Sequence, residues 1–256
     1  MHRRTFFLTA LAAACAAPAL AAQQPAAGIP AATGQLIMGI ADGWSSTRAK
    51  LYLFQRQSPR GPWQAALKTP FPVLMGRSGL AWGHGTLPVP HGQKGVPSKR
   101  EKDWRAPAGA FSLGMLFGYD AAGPQGAAWP FYQVTARDCW IDDPQHPAYN
   151  RHIVVDPAAP PPWYAKQRMR LGDSAYRWML EIKHNANPPV PGHGSAIFFH
   201  TRRGPDKPSA GCTTMAVGDL VAMLRWLQPR AQPMYVLLPR AEYLARLNTW
   251  GLPAIP

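Results

Sequence analysis

Short runs of hydrophobic residues alternate with polar positions along most of this chain, which is the pattern of β-strands that bury one face. Turn-forming Gly, Pro, Asn and Asp residues separate the runs. The candidate strands are QLIMGIADG and AKLYLFQRQ, which flank DGWSSTR as a hairpin, then WQAALKTPFPVLMG, GAFSLGMLFGYD, YQVTARDCWID, RHIVVD, YRWMLEIKH, SAIFFHT and PMYVLLP. Many short strands at this spacing predict a mainly β (α+β) fold, organised as a β-sandwich or barrel.

Helical patterns are few. The best covers residues 216–229, where one face of a helix would hold Leu220, Val221, Leu224 and Leu227. Pro229 ends this pattern, because proline cannot continue the backbone hydrogen bonding. A second short helix is predicted for RAEYLARLNTWG, which closes on a glycine. The prediction is therefore a β-rich domain with a few short helices, one of which follows Cys212.

The composition supports one catalytic-size domain. The chain has 256 residues, and 46% of them are hydrophobic, which is enough for a sizeable core. Its 29 Pro and 23 Gly favour turns and short strands over long helices. No internal repeat or later linker interrupts the pattern, so residues 35–256 are predicted to form a single domain.

The N-terminal stretch resembles an export signal. Two arginines precede an apolar run over residues 6–17, and the small-residue triplet ALA follows. A membrane-spanning helix needs about 20 apolar residues, so this run is too short, and no later segment is long enough. We expect a signal peptide at residues 1–22, by the Sec or the twin-arginine route, and a flexible leader at 23–34. The mature protein would then lie in the periplasm or cell envelope, without a transmembrane segment.

Charge points to an anionic partner. The chain carries a formal net charge of +14. For an exported protein this favours an anionic cell wall as the partner. The basic residues are scattered, and no helix-turn-helix, zinc-finger or aromatic RNA-binding motif accompanies them, so nucleic acid is not expected.

The segment HTRRGPDKPSAGCTTM carries the candidate chemistry. Cys212 lies twelve positions after His200, and His200 lies at the end of an apolar strand candidate. A thiol attacks as the thiolate, and a neighbouring imidazole can accept its proton. Gly211 allows close approach of a carbonyl, and the N–H groups of a following helix would lower the thiol pKa and bind an oxyanion. The segment thus suggests Cys–His acyl transfer.

Two other interpretations of Cys212 are open at this point. Exported proteins often pair their cysteines, and Cys139 is available for a disulfide. His184, His193 and His200 lie in one stretch and raise the possibility of a metal site. No H-E-x-x-H or C-x-x-C spacing supports that site, and we predict neither metal nor cofactor.

Two blocks of the chain resemble a known family. SAIFFHTRRGPDKPSAGCTTMAVGDLVAMLRWL is similar to the catalytic core of the YkuD-type L,D-transpeptidases, in which a strand ends in a base histidine and a loop delivers Ser/Thr-x-Gly-Cys. SKREKDWRAPAGAFSLG, at residues 98–114, resembles the family's K-x-G-D-x-x-T-P-x-G-x-F block. The matching positions in that block are Asp103, Pro107, Gly109 and Phe111. The resemblance covers most of residues 36–240.

The resemblance implies a YkuD-like fold and a set of roles. Cys212 would be the nucleophile and His200 the base, oriented by the backbone carbonyl of Thr201. The N–H groups of Gly211 and Cys212 would hold the oxyanion. Substrate contacts would come from Ser209, Ala210, Arg202 and Arg203.

The same resemblance implies the substrate. The family transfers a peptidoglycan stem peptide, through a thioester, from its terminal D-alanine to an amine. Water as acceptor would give an L,D-carboxypeptidase, existing wall links could be hydrolysed by the same residues, and a non-catalytic wall-binding module is the remaining alternative. Ala210 stands where the family usually has histidine, Thr214 replaces an Asn or Arg, and the loop before the cysteine is short. These departures leave the acceptor open.

Overall fold

The computed structural model describes residues 28–255. Its strands are β1 (Gln35–Ala41), β2 (Arg48–Gln55), β3 (Gln64–Ala65), β4 (Phe71–Leu74), β5 (Leu80–Trp82), β6 (Ala106–Gly118), β7 (Phe131–Gln133), β8 (Asp138–Trp140), β9 (His152–Val154), β10 (Trp178–Ile182), β11 (Phe198–Thr201), β12 (Thr213–Met215) and β13 (Met234–Pro239). Its helices are α1 (Tyr164–Gln167), α2 (Val217–Trp226) and α3 (Arg240–Arg246).

Eight of these strands form a closed barrel. The hydrogen-bonded order is β1, β13, β6, β10, β11, β12, β4 and β2, and β2 pairs back onto β1. Two neighbouring pairs, β1–β13 and β11–β12, are parallel, and the other pairs are antiparallel. The fold is mainly β, as the alternating pattern predicts, and the hairpin of β1 and β2 is confirmed.

The barrel interior is filled by the side chains of one strand face. Phe111, Phe199 and Tyr235 are fully buried there, and the rings of Phe199 and Tyr235 meet edge to face with centroids 4.6 Å apart. Burial of such rings is worth about 2–3 kcal/mol each. This core fixes the strand that carries His200, because Phe199 anchors its inward face.

A second, smaller apolar cluster covers the outer face of β6, β10 and β11. It joins the barrel to the small sheet of β8 and β9. Trp140, on β8, packs edge to face on Phe198 and on Phe117, with centroids 4.9 and 5.9 Å away. The β8–β9 sheet therefore forms a cover over one side of the barrel, and the space between them holds the candidate site.

The helix expected after Cys212 is confirmed, but it does not begin at the cysteine. The β-branched and buried residues of β12 continue the chain in extended form, because they complete the barrel beside β11. α2 begins only at Val217, and its buried Leu220 and Leu224 match the predicted face. The helix RAEYLARLNTWG is also present, although its regular part ends at Arg246, before the glycine.

Residues 28–34, expected to belong to a flexible leader, lie packed on the barrel. The Ile29 N–H donates to the carbonyl of Trp250 at 2.9 Å, and the Arg56 guanidinium binds the carbonyl of Thr33 at 2.6 Å. The rest of the leader and the expected signal peptide at residues 1–22 lie outside the described residues. Within residues 28–255, no helix is long and apolar enough to cross a membrane.

Candidate functional site

Strand register brings His200 and Cys212 onto one face of the barrel wall. In the parallel pair β11–β12, Phe199 lies opposite Thr213 and His200 opposite Thr214. Side chains alternate between faces, so Phe199 and Thr213 point inward while His200 and Cys212 point outward. Cys212 packs against the outer cluster, as this alternation requires. The two Cα atoms are about 8 Å apart from strand spacing and rise, a separation that the two side chains can bridge.

His200 is held as a neutral imidazole. Its Nδ1–H donates to the carbonyl of Thr201 at 2.9 Å, which places the lone pair of the neutral imidazole on Nε2, and the Ala175 backbone also lies against the ring. Only 2% of the residue is exposed. Burial lowers its pKa to about 4, although the bond to Thr201 acts in the opposite direction. At neutral pH the imidazole is therefore uncharged and able to accept a proton.

The Cys212 thiol is partly exposed in a cleft and is held by backbone groups. Its Sγ accepts from the N–H of Phe198 at 3.4 Å and its thiol donates to the carbonyl of Ala196 at 3.5 Å. Burial raises the pKa of Cys212 to about 11, and the hydrogen bond from the Phe198 N–H offsets only part of this increase. The prediction that a helix N-terminus lowers the pKa of Cys212 is wrong, because β12 lies between the sulfur and α2. The resting site is thus a neutral thiol beside a neutral imidazole.

The turn before Cys212 is fixed by one hydroxyl. Ser209 Oγ accepts from the Gly211 N–H at 3.0 Å and donates to the carbonyl of Cys212 at 2.6 Å. The amide of Gly211, expected to bind an oxyanion, is therefore already engaged. Ser209, expected to contact substrate, instead closes the turn. The Cys212 N–H has no acceptor among residues 28–255 and is the available oxyanion donor.

Position 211 requires a glycine, because of its backbone conformation and because of the groups packed against it. Its φ of +148° lies in a region that residues with a side chain rarely adopt. A Cβ on this residue would lie 2.9 Å from the carbonyl oxygen of Arg105. The glycine lets the nucleophile turn pass close to the strand-entry block of residues 98–114.

The two arginines expected in the substrate site diverge. Arg203 Nε donates to Asp173 at 2.7 Å, and its guanidinium lies 4.9 Å from the ring centre of Tyr176. The Tyr176 ring in turn lies 4.7 Å from that of His200, so Arg203 stands beside the base. Arg202, the preceding residue, lines a different cleft, because β11 ends at Thr201 and the chain bends at Arg203 instead of continuing the strand alternation.

The Cys212 cleft has a volume of about 410 Å³ and lies under the β8–β9 cover. Ala210 lies exposed at its rim, next to Gly211. A larger cleft of about 880 Å³ lies on the other side of Trp140 and does not contain the cysteine. We therefore assign the chemistry to the smaller cleft. Besides the residues already described, its wall includes Lys99, Glu101, Trp104, Met169, Met179 and Ser195.

The sequence did not indicate two charged groups in this wall. Lys99 is buried, and its Nζ donates to Asp103 at 2.5 Å and to the carbonyl of Arg100 at 2.7 Å. The Glu101 carboxylate accepts from the Ser195 hydroxyl at 2.8 Å. The only local signal was the K-x-x-x-D spacing of Lys99 and Asp103, which lies in the block that resembles the family.

The other interpretations of Cys212 find no support. Cys139 and Cys212 are both free, and Cys139 is buried as a small apolar side chain in β8. His184 and His193 bond to one another, through Nε2 of the first and the carbonyl of the second at 3.0 Å. In the part of the chain that the structure describes, no group of three or more His, Cys, Asp or Glu residues is arranged to hold a metal ion.

Comparison with protein families gives a match over residues 45–236 to the YkuD family, described as the L,D-transpeptidase catalytic domain. The matched range includes the strand-entry block, His200, the nucleophile turn and α2. Comparisons with curated proteins and with solved structures find no match. Since the family match extends over well more than half of the sequence and contains the whole Cys–His site, the chain belongs to the YkuD family of L,D-transpeptidase catalytic domains.

Proposed function

We propose that this protein is an exported cysteine acyltransferase that forms a thioester between Cys212 and a peptidoglycan stem peptide. The single observation that carries the proposal is the pairing of β11 with β12. It sets His200, neutral and with a free Nε2, on the same face as the cleft-facing Cys212 thiol.

The first half-reaction cleaves the donor peptide. As the Cys212 sulfur attacks the carbonyl that precedes the terminal D-alanine, the thiol proton passes to His200 Nε2. The tetrahedral oxyanion is stabilised by the Cys212 N–H, and one such donor is worth about 3–4 kcal/mol. Collapse breaks the C–N bond, the imidazolium returns its proton to the leaving amine, and a thioester remains.

The second half-reaction releases the acyl group. An amine acceptor attacks the thioester carbonyl, loses a proton to His200 and leaves a new amide with the thiol restored. With water as acceptor, the same residues give an L,D-carboxypeptidase, and an existing wall link would be hydrolysed in the same way. Ala210, small and exposed at the cleft rim, leaves space for either acceptor.

Export to the periplasm or cell envelope belongs to the same proposal. It is supported by the signal-like residues 1–22 and by the net charge of +14, which suits an anionic wall. Arg203, beside Tyr176 and His200, supplies a positive charge near the base that would pair with a carboxylate of the substrate.

The test is release of D-alanine from a synthetic stem tetrapeptide, with Cys212→Ala compared with Cys139→Ala. Both variants remove one free thiol, but only the first removes the nucleophile. We expect turnover to be abolished in Cys212→Ala and kept within a few-fold in Cys139→Ala. Intact-mass analysis after incubation with a carbapenem is expected to show one adduct, mapping to Cys212.

A non-catalytic wall-binding module gives the opposite result. Wild-type protein would then release no D-alanine and form no adduct. It would also bind purified sacculi as well as the Cys212→Ala variant does, and this outcome would refute the acyltransferase proposal.

A further inference from the structure

We infer that Lys50, Arg202 and Arg240 form a site for the phosphate group of an anionic lipid headgroup, by which this protein docks on a membrane surface. All three residues line a cleft of about 300 Å³ that shares no residue with the cleft of Cys212. The site does not depend on the proposed acyl transfer. It also gives a role to Arg202, which was expected to contact the substrate.

Strand pairing brings these cations to one region of the barrel surface. On β2, Arg48 and Lys50 are exposed while Ala49 between them is buried, so both long side chains point outward. β1 pairs with β2 on one side and with β13 on the other, and β13 ends one residue before Arg240. On the opposite side of β2, the order continues through β4 and β12 to β11, which ends one residue before Arg202. The cations therefore come from three separate segments of the chain, each of which the barrel holds in place.

The three cations have no counterion from the protein. Among residues 28–255, no carboxylate forms an ion pair with Lys50, Arg202 or Arg240. A fourth cation of the lining, Arg48, pairs with Asp206. Asp42 is the one carboxylate in the lining, so three unpaired cations face one negative charge. This excess of positive charge attracts an anion.

A phosphate group suits this lining better than a carboxylate does. A carboxylate offers two oxygens, whereas a phosphate offers more, and an arginine guanidinium can bind two of them at once. The hydroxyl of Tyr52 lines the same cleft and has no hydrogen-bond partner in the described part of the chain, so it adds an uncharged donor. The cleft can therefore satisfy several oxygens of one phosphate from different sides.

Exposed aliphatic side chains near the cations indicate a membrane as the source of the phosphate. Leu244 is 59% exposed and lies one helical turn after Arg240, on the same face of α3. Val217 is 51% exposed and lies two residues after Met215, whose carbonyl accepts from the Arg202 N–H at 2.8 Å. A membrane surface takes cations among its headgroups and aliphatic side chains at the acyl boundary, whereas a soluble phosphate offers nothing to the latter.

The test is co-sedimentation with vesicles of phosphatidylcholine, alone or mixed with phosphatidylglycerol. Wild-type protein is expected to bind the vesicles that contain phosphatidylglycerol and not the others. A cleft variant that combines Lys50→Gln, Arg202→Gln and Arg240→Gln is expected to bind them about tenfold more weakly, or less. The control variant removes the same charge from three other exposed positions and keeps wild-type binding; it combines Lys68→Gln, Lys94→Gln and Arg137→Gln. Every variant carries the same residues 1–27, so the differences report on the cleft.

A second variant distinguishes a membrane from a soluble phosphate. Leu244→Ser is expected to weaken vesicle binding and to leave the binding of soluble glycerol phosphate unchanged, because only the vesicle contacts the aliphatic side chain. If Leu244→Ser has no effect and glycerol phosphate binds as tightly as the vesicles, the site belongs to a soluble phosphate and the inference is overturned.

Three other results would also overturn the inference. Absence of vesicle binding by wild type is the first, and binding to purified sacculi that the cleft variant loses would then assign the cations to a wall polymer. Equal losses in the cleft and control variants would show diffuse electrostatic attraction instead of a site. If the cleft variant lacks the wild-type circular dichroism spectrum, Lys50→Glu replaces it, and undiminished vesicle binding by that variant is the third. Vesicle binding needs no turnover, so failure of the acyl-transfer proposal would not affect this test.

Discussion

We expect acid to destabilise this protein through its buried imidazoles, and His184 is the one whose pKa burial lowers most. Its Nδ1 accepts from the backbone N–H of His84 at 3.2 Å, and its Nε2–H donates to the carbonyl of His193 at 3.0 Å. Only 2% of His184 is exposed. Burial, reinforced by the nearby charge of Lys99, lowers its pKa to about 3. A proton on Nδ1 would break the first bond and bury a charge.

The size of the effect follows from proton linkage. An unfolded histidine has a pKa of about 6.5, so below that pH the unfolded chain binds a proton that folded His184 does not. The stabilisation from the depressed pKa is complete above pH 6.5 and is lost progressively as the pH falls towards 3. Well below pH 6.5 each pH unit costs about 1.4 kcal/mol, and because the unfolded histidine is only half protonated at pH 6.5, about 2 kcal/mol is lost between pH 6.5 and 4.5. A domain is typically stable by only about 5–15 kcal/mol.

Urea unfolding at pH 7.5, 6.5, 5.5 and 4.5 measures this loss. We expect His184→Gln to be about 1–3 kcal/mol less stable than wild type at pH 7.5, since it loses buried hydrogen bonds. Between pH 6.5 and 4.5, its free energy of unfolding is expected to fall by about 2 kcal/mol less than that of wild type. His146→Gln, at a partly exposed loop position, is the control and keeps the wild-type pH dependence. Equal pH dependence in wild type and His184→Gln would refute the reasoning.

Two further predictions concern the reacting groups. Gly211→Ala is expected to lower turnover at least a hundredfold and also the thermal midpoint, because the new Cβ meets the Arg105 carbonyl and displaces Cys212. Differential scanning calorimetry and D-alanine release check this, and wild-type values for both would contradict it. Because the pKa of His200 is about 4, kcat/KM at pH 5.5 is expected to stay within about twofold of its value at pH 7. A tenfold loss, as for a histidine with a pKa of 6.5, would contradict this prediction.

Much of the fold was predictable because strand periodicity is local. The runs that became β1, β2, β6 and β13 are continuously apolar or alternating over enough residues to be recognised. β12 was missed because its three residues are too few to show a period, and a stronger helical pattern follows them. The error mattered, since it led to the expectation of a lowered pKa for Cys212.

The candidate site was likewise predictable only in part from the sequence. His200 and Cys212 lie close in sequence and share a recognisable motif, so their pairing could be predicted. Lys99 and Glu101 are about a hundred residues upstream, and only the closed barrel brings them beside the sulfur. The placement of Arg203 beside His200 was not predictable, because strand alternation would put Arg202 on the face of His200, whereas the chain bends at Arg203 after β11 ends.

The pairing of β1 with β13 has a consequence for biosynthesis. The first strand of the barrel needs a neighbour that lies about two hundred residues later in the chain. A chain synthesised only as far as α2 therefore already contains His200 and Cys212, yet its barrel has two unpaired strand edges, on β1 and on β6. Such an intermediate is prone to aggregate until Met234–Pro239 is delivered. Truncations before β13 are thus expected to yield insoluble protein although every reacting group is present.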